Sequence, residues 1–333
     1  MLAYGDAMIE AADDAVDRMP IGRTFAAHRP MQSITLQVIL RTVFGVAEGA
    51  RFRELADVLT KSLDAIAWPP MIFPFMQHDL GPLSPWGRWV RLRDRASRLL
   101  RAEIREARAA KAKSRTDVLS MLIETELSDD EVHDELITLL VAGHETTATS
   151  LAWALRWILP NRRLVGEMRE EIASAGGDPA KIAKLELLED VAKETLRLQP
   201  VIPMVGRVLM EPRRIGKWDL PRGALVAPAI YLVHRRPSIY PNPTAFEPRR
   251  FRTLKPAAWE FLPFGGGLRK CVGAAFAMYE MKMVLATILP RVEMHLADQD
   301  VRVARRSVTI PPSSGLPVLV TSAVVCMRAG GVR

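Results

Sequence analysis

The chain has 333 residues, 49% of them hydrophobic and 6% aromatic, so it can bury a sizeable core and its composition favours helices. Its net charge of +8 comes from scattered arginines without interleaved aromatic residues or a nucleic-acid-binding motif, which argues against a nucleic-acid partner. No apolar run approaches the roughly 18 residues of a membrane span, and two cysteines are too few for a disulfide framework, so a cytoplasmic protein is expected.

The first third of the chain predicts successive amphipathic helices, from Met1 to about Lys113. They are interrupted at Met19-Pro20 and by a proline-rich stretch from Trp68 to Pro85. Because this stretch also carries large apolar side chains, we expect it to fold over an apolar cavity or the core.

A long helix is predicted in the middle of the chain. Ser128 and Glu131 have the spacing of a capping box, and the helical periodicity continues to Leu159, before Pro160. Further helices are predicted from Leu164 to Ala175 and from about Leu185 to Leu198.

The character of the chain changes after Pro203. Short β-like runs between Val205 and Val233 predict a small antiparallel sheet, and a proline-punctuated meander follows. A helix is predicted from Gly273 to Leu289, and strand-like segments lie between Val301 and Val320. Since no repeat or linker is visible, we expect residues 1–333 to form one mainly helical domain with a small β region.

A glycine-rich loop, FGGGLRKCVG at residues 264–273, brings Cys271 to the start of the last predicted helix. Glycines let the backbone turn tightly around a sulfur atom, and a helix start favours the thiolate. Zinc and iron-sulfur sites need about four protein ligands, and the sequence has neither a CxxC nor a histidine cluster. A single axial thiolate to a haem iron needs only one ligand. The alternative is a buried structural cysteine beside an ordinary glycine turn.

The segment AGHETT, residues 142–147, places polar side chains in the middle of the long helix. A zinc-protease HExxH motif is excluded because Ala148 occupies the position of the second histidine. Two interpretations stay open. Either Glu145 and Thr146 are functional, or Thr146 and Thr147 bond to carbonyls one turn back while Glu145 forms a salt bridge.

Four patterns together resemble the cytochrome P450 family. The loop matches its haem-binding signature FxxGxRxCxG at every position, and AGHETT resembles its oxygen-binding segment. Glu194 and Arg197 match its ExxR pair. Residues 248–251 match its P-E-R-F segment in three of four positions, with Arg249 in place of the glutamate.

The resemblance implies a role for each matching residue. Cys271 would be the iron ligand, and Glu145 and Thr146 an acid-alcohol pair that delivers protons to bound dioxygen, while Glu194, Arg197 and Arg250 would form a buried network. The residues expected to hold the haem are Phe264, Gly267, Arg269, Cys271, Gly273, Arg207 and Gly143. Arg269 and Arg207 would neutralise its carboxylates, and Gly143 would let ligand approach the helix. The residues expected to line the substrate pocket are Val141, Ala142, Val201, Met204, Val205 and Ser314.

The implied activity is that of a haem-thiolate monooxygenase, which inserts one oxygen atom of O2 into an apolar organic substrate. Its cofactor would be haem b, iron protoporphyrin IX. Because no flavin or iron-sulfur motif occurs in the sequence, electrons would come from a separate ferredoxin or flavodoxin with its NAD(P)H-dependent reductase. The residues expected to form the basic docking face are Arg269, Lys270, Lys282 and Arg291.

The chain also departs from the family pattern. Residues 1–46 resemble helices that follow the family's WxxxR segment, so the expected fold is a cytochrome P450 fold lacking its N-terminal strands and first helices. Arg236 stands where family members have an aspartate. The alternative hypothesis is a non-catalytic, N-terminally truncated remnant or scaffold with weak or no haem binding.

Overall fold

The computed structural model describes residues 2–46, 49–66, 68–109, 116–304 and 308–323. Helices make up most of this part of the chain. They are α1 (Gly5–Asp17), α2 (His28–Thr42), α3 (Ala50–Ile66), α4 (Pro85–Ala109), α5 (Val118–Ile123), α6 (Asp129–Ile158), α7 (Arg162–Ala175), α8 (Pro179–Ile182), α9 (Glu186–Leu198), α10 (Ile230–Val233), α11 (Arg250–Thr253) and α12 (Ala274–Arg291). Short 3-10 helices cover Leu2–Tyr4, Pro69–Ile72, Pro74–Met76 and Gly267–Arg269.

The predicted capping box at the start of α6 is confirmed. The Ser128 hydroxyl accepts a hydrogen bond from the Glu131 N–H at 3.3 Å, and the Glu131 carboxylate accepts one from the Ser128 N–H at 2.8 Å. The helix ends at Ile158, one residue before the predicted end. Helix α7 ends as predicted, because Gly176 and Gly177 adopt positive φ angles of 60° and 79° that a helix does not allow.

The strands form three small antiparallel sheets. They are β1 (Thr24–Ala26), β2 (Arg207–Val208), β3 (Arg213–Ile215), β4 (Trp218–Leu220), β5 (Leu225–Val226), β6 (Val292–Leu296) and β7 (Pro317–Ala323). Strand β7 lies between β1 and β6, whereas β2 pairs with β5 and β3 with β4. The β region predicted between Val205 and Val233 is therefore confirmed, as two separate two-stranded ladders.

Helix α6 joins two hydrophobic clusters. Leu136 and Leu140 in its first half pack in a cluster with residues of α2, α3, α4 and α5. Leu151, Leu155 and Ile158 in its second half pack in a cluster with α1, α7, α9, α12 and the three-stranded sheet. Burying each of these side chains contributes about 1.5–3 kcal/mol, so α6 is held at both ends and its polar middle has a defined position.

The prediction for the proline-rich stretch is correct for Met71, which is 2% exposed, and wrong for Phe73 and Phe75. Phe73 and Phe75 are 51% and 70% exposed and stack on each other. Both 3-10 turns in this stretch begin at a proline, and the repeated breaks turn the two phenylalanines away from the core. None of the helices in the described ranges is both long enough and apolar enough to cross a bilayer.

Candidate active site

The Cys271 loop presents its sulfur at the surface of the described structure. Gly265 and Gly267 adopt positive φ angles of 69° and 67°, which side-chain-bearing residues rarely adopt. The turn that they form is closed by a 2.9 Å hydrogen bond from the Cys271 N–H to the Phe264 carbonyl oxygen. Phe264 packs against the core cluster of α12, whereas Cys271 is exposed. The loop is thus anchored at its aromatic end and open at its cysteine.

The basic side chains expected around this loop differ in whether they already form ion pairs with described residues. Arg269 and Lys270 are exposed and have no ion-pair partner among the described residues. Arg207 on β2 is also exposed, and its guanidinium donates only to the carbonyl of neighbouring Gly206, at 2.9 Å. Arg207 and Arg269 can therefore still pair with acidic groups of a ligand.

Two members of the predicted basic docking face are engaged elsewhere, so that prediction was wrong for them. Lys282 is buried, and its ammonium group bonds to the Ala183 carbonyl and to Glu189. Arg291 forms ion pairs with two aspartates of α1, at 2.6 Å each. The reason is that α12 packs lengthwise against α1 and α9, which the sequence pattern of α12 does not reveal.

Glu145 and Thr146 lie next to each other in α6 but point to different partners. The Thr146 hydroxyl donates to the Ala142 carbonyl one turn back, at 2.6 Å. The Glu145 carboxylate accepts a 2.8 Å hydrogen bond from Gln32 of α2 and lies 3.6 Å from the His28 imidazole. Their side chains thus adopt the conformation of the second interpretation, a back-bonded threonine and a paired glutamate, although Thr147 bonds elsewhere.

Gly143 also contacts α2. A Cβ atom at this position would lie 3.4 Å from the Cδ1 atom of Ile39. A Cβ atom there would make an ordinary van der Waals contact with α2, so helix packing does not by itself require the glycine, and the predicted approach of a ligand stays a prediction. Neither Gln32 nor His28 was singled out in the sequence, because nothing local connects α2 with α6.

Hydrogen bonds attach two of the segments predicted to line a substrate pocket to helices: the Val201 segment to the second half of α6 and the Ser314 turn to the start of α2. The Trp153 indole N–H donates to the Ile310 carbonyl at 2.8 Å, and the Ile310 N–H donates to the Val201 carbonyl at 3.1 Å. The turn at Ser314 joins the start of α2, where the His28 N–H donates to the Gly315 carbonyl at 2.9 Å. Among the six pocket residues, Val141, Ala142, Met204 and Ser314 are exposed, Val205 is half-buried and Val201 is buried.

The ExxR pair lies in a fully buried polar network. Arg197 donates to both carboxylate oxygens of Glu194, at 2.7 and 2.8 Å, and to the carbonyls of His234, Pro243 and Ala245. Arg250 donates to Glu194 at 3.0 Å. One fully buried carboxylate thus accepts from two guanidinium groups, and the arginines hold the meander by its carbonyls.

His234 extends this network toward the Cys271 loop. Its role was not predicted from the sequence. Its Nδ1 atom donates to the Arg197 carbonyl at 3.1 Å, and its Nε2 atom accepts from the Leu262 N–H at 2.8 Å. These bonds require the neutral imidazole with the proton on Nδ1. Leu262 is two residues before Phe264, so His234 links the Glu194 network to the start of the loop.

We expect His234 to make stability depend on pH. Burial, with the nearby Arg197 and Arg235 charges, lowers the pKa of His234 from 6.5 to about 4. Between these values the unfolded chain binds a proton at His234 that the folded protein excludes. The stability that the neutral imidazole contributes is therefore present above pH 6.5 and is lost as pH falls toward 4. From pH 6.5 to 5, the free energy of unfolding should fall about 2 kcal/mol more in the wild type than in His234→Asn.

Urea titrations monitored by tryptophan fluorescence measure this difference. His295→Asn is the matched control, since His295 is partly exposed on β6, and it should keep the wild-type pH dependence. Equal pH dependence of the wild type and His234→Asn would contradict the assignment of a buried neutral imidazole.

Glu280 of α12 is a second ionisable residue that the sequence analysis did not select. It is 2% exposed, and burial raises the pKa of its carboxyl group to about 8, opposed by a hydrogen bond with Thr147 of α6. Its Oε1 atom has no hydrogen-bond partner in the described part of the chain. Glu280 is therefore mainly protonated at neutral pH, and it joins the helix after the Cys271 loop to the polar middle of α6.

The donor set around Cys271 fits a haem better than a metal ion held by protein ligands alone. No group of three or more His, Cys, Asp or Glu side chains that could hold a metal ion occurs among the described residues. The loop instead offers one exposed sulfur, and within the ranges that the structure describes Arg269 and Arg207 form no ion pairs. A porphyrin iron needs one axial protein ligand, and its two carboxylates match two arginines.

The chain is similar to known proteins over most of its length. The family model for cytochrome P450 matches residues 2–316. The chain is 43% identical over 287 residues to a Mycobacterium tuberculosis protein provisionally named cytochrome P450 135B1, across 83% of this chain and 59% of the relative. It is 33% identical over 312 residues to cytochrome P450 137, also a provisional name, of the same species, across 91% and 64%.

The fold is also similar to a solved structure. The haem domain of cytochrome P450DA superposes with a TM-score of 0.81 at 24% identity, across 96% of this chain and 73% of that one. The expected mainly helical fold with small sheets is thereby confirmed. The chain spans about three fifths of the length of the curated relatives that it matches.

Proposed function

Because the chain belongs to the cytochrome P450 family, we propose that it provides the haem-thiolate centre of a monooxygenase, with residues 1–333 acting as one domain. The observation that carries this proposal is the Cys271 loop, in which two positive-φ glycines and the bond to the Phe264 carbonyl hold an exposed sulfur just before α12. When bound there, haem b would supply the chemistry that inserts one oxygen atom of O2 into an apolar organic substrate.

The other residues of the site have separate tasks in this proposal. Cys271 binds the iron, and Arg269 and Arg207 bind the haem carboxylates with their unpaired guanidinium groups. Thr146 keeps its hydroxyl oxygen able to accept a hydrogen bond, since its proton is donated to Ala142. Glu145 holds a carboxylate 21% exposed to solvent, which can exchange protons with water once it leaves Gln32.

The proposed substrate is an apolar organic molecule that contacts Val141, Ala142 and Met204, whose side chains are exposed. The proposed redox partner is a ferredoxin or flavodoxin with its NAD(P)H-dependent reductase. Arg269 and Lys270 support an acidic partner surface at the cysteine loop, because they are exposed and form no ion pair with any described residue.

A non-catalytic scaffold is the second candidate. It is favoured by the positions of Glu145 and Thr146, which bond to Gln32 and Ala142 and do not form the expected acid-alcohol contact. A scaffold of this kind would fold without turning over substrate. The two candidates differ in haem uptake and in the spectrum of the reduced protein.

The test is a haem titration of the purified chain, followed by reduction under carbon monoxide. We expect stoichiometric uptake and the red-shifted Soret band of a thiolate-ligated ferrous-CO complex. Cys271→Ser should lose this band, while the matched control Cys326→Ser, which changes the other cysteine, should keep it. A folded wild-type protein that takes up no haem would support the scaffold, and an unchanged band in Cys271→Ser would remove Cys271 from its role.

A further inference from the structure

A cavity of about 220 Å³ lies between the end of α6, one face of α7, the end of α12 and strand β6. Its apolar lining includes Leu159 and Met294, which are 8% and 5% exposed, and the half-buried Val165. A dry apolar cavity of about 150 Å³ is large enough for benzene. The space therefore suits a ligand with an apolar body of six or seven carbon atoms.

The mouth of the cavity carries positive charge. Arg162 and Arg169 both line it, and Arg162 forms no ion pair with any residue that the structure describes. Arg169 donates through Nε and Nη2 to the carbonyls of Leu289 and Val292 and to Glu293. Its Nη1 group makes no hydrogen bond within the described chain, so one edge of a fixed guanidinium group is still available.

The acidic residue at the mouth does not cancel this charge. Glu293 is the single carboxylate among the residues that line the cavity, and it is already bonded to Arg169 at 2.9 Å. His295 lies 3.8 Å from the same carboxylate. With two arginines and one glutamate, the mouth has a net positive charge and attracts a monoanion.

Gly166 leaves one wall of the cavity open. Arg162, Val165, Gly166 and Arg169 are spaced at i, i+3, i+4 and i+7, so they share the face of α7 that lines the cavity. A Cβ atom at Gly166 would meet no other atom within 4 Å. A larger side chain at this position would therefore enter the cavity without displacing the helix.

We propose that this cavity is a binding site for small amphipathic monocarboxylates, with the carboxylate between Arg162 and Arg169 and the apolar body against Leu159, Val165 and Met294. The site is separate from the Cys271 loop. The loop precedes α12 and the cavity lies at its other end, and the 18 residues of α12 span about 27 Å. The proposal does not depend on haem binding or on turnover.

Methyl NMR of the full chain, labelled at methionine methyl groups, tests the proposal at low ionic strength with benzoate and hexanoate as probes. We expect a saturable shift of the Met294 resonance, with Met121 and Met210, which are exposed and lie outside the cavity lining, unchanged as reporters. The neutral isosteres benzamide and hexanamide should bind more weakly. If neither acid shifts Met294, or the amides bind as tightly as the acids, the proposal is wrong.

Three variants locate the site. Gly166→Leu should abolish the Met294 shift by filling the cavity, and Arg162→Gln should weaken binding by about two- to fivefold, as expected for an exposed ion pair. Arg163→Gln is the matched control, because Arg163 is exposed on the same helix but pairs with Glu167. A saturable shift of Met294 that persists in Gly166→Leu would overturn the proposal.

Discussion

Replacing Glu194 by glutamine should lower the free energy of unfolding by about 3–5 kcal/mol, the cost of breaking a buried ion pair by removing one partner. The carboxylate is completely buried and accepts hydrogen bonds from Arg197, from Arg250 and from the Glu247 N–H. An amide of the same shape leaves the buried Arg197 guanidinium without its counter-charge, whereas Arg250 keeps Glu247 at 3.2 Å. The NH2 group of the amide also faces the donors of both arginines. Urea titrations of the two proteins measure the loss.

Glu167→Gln is the matched control for this prediction. Glu167 also accepts from two arginines, Arg163 and Arg249, but these are 88% and 52% exposed. Water replaces lost contacts at such a site, so the urea midpoint should change little. Comparable losses in Glu194→Gln and Glu167→Gln would mean that burial of the network contributes nothing to its strength.

Replacing Glu280 by glutamine should stabilise the protein at alkaline pH and have little effect near pH 5. The pKa of Glu280 is about 8 in the folded protein and 4.5 in the unfolded chain. Between these values the folded state keeps a proton on Glu280 that the unfolded chain releases. The stability associated with the protonated carboxyl group is therefore fully present below pH 4.5 and is lost as pH rises through 8. At about 1.4 kcal/mol per pKa unit, the difference of about 3.5 corresponds to about 5 kcal/mol.

The measurement compares the free energy of unfolding of the wild type and of Glu280→Gln at pH 5 and pH 8. The advantage of the variant should grow from near zero to about 4 kcal/mol, because glutamine resembles the protonated acid at every pH. Glu170→Gln, which changes an exposed glutamate of α7, should show no such growth. A constant difference between Glu280→Gln and the wild type would contradict a buried protonated carboxyl group.

His234 and Glu280 have opposite effects on stability between about pH 4.5 and 6.5. Raising the pH there adds the stability associated with neutral His234 and removes the stability associated with protonated Glu280. In the wild type, the contributions of the two residues to the pH dependence of the free energy of unfolding nearly cancel. In Glu280→Gln only the contribution of His234 remains, so the free energy of unfolding should rise with pH. In His234→Asn only the contribution of Glu280 remains, so it should fall with pH.

Patterns within a few residues predicted much of the fold and part of the site. The capping box at Ser128 and the turn at Gly176 depend on bonds within one turn of helix, so their residue types are sufficient. Glu194 and Arg197 are three apart on α9, so their bidentate contact follows from helical geometry. The place of Arg250 could be predicted only through the family resemblance, since it is 56 positions from Glu194.

The contacts that sequence analysis missed join distant segments. Gln32 and Glu145 are 113 positions apart, and their hydrogen bond exists because α2 packs along α6 beside Gly143. Lys282 and Arg291 look like surface charges in the sequence, but helix packing gives them partners on α9 and α1. A pattern of residue types shows which face of a helix is apolar without showing which helix covers it.

The sequence by itself therefore determined helices α6, α7, α9 and α12, the Cys271 loop and the family, because each depends on local hydrogen bonding, periodicity or a contiguous motif. Only the tertiary structure decided which charges are free, where Glu145 points, and that His234 is neutral and Glu280 protonated. These properties follow from burial and from partners far along the chain, and the free energy of an ionised group depends on that environment more than on its residue type.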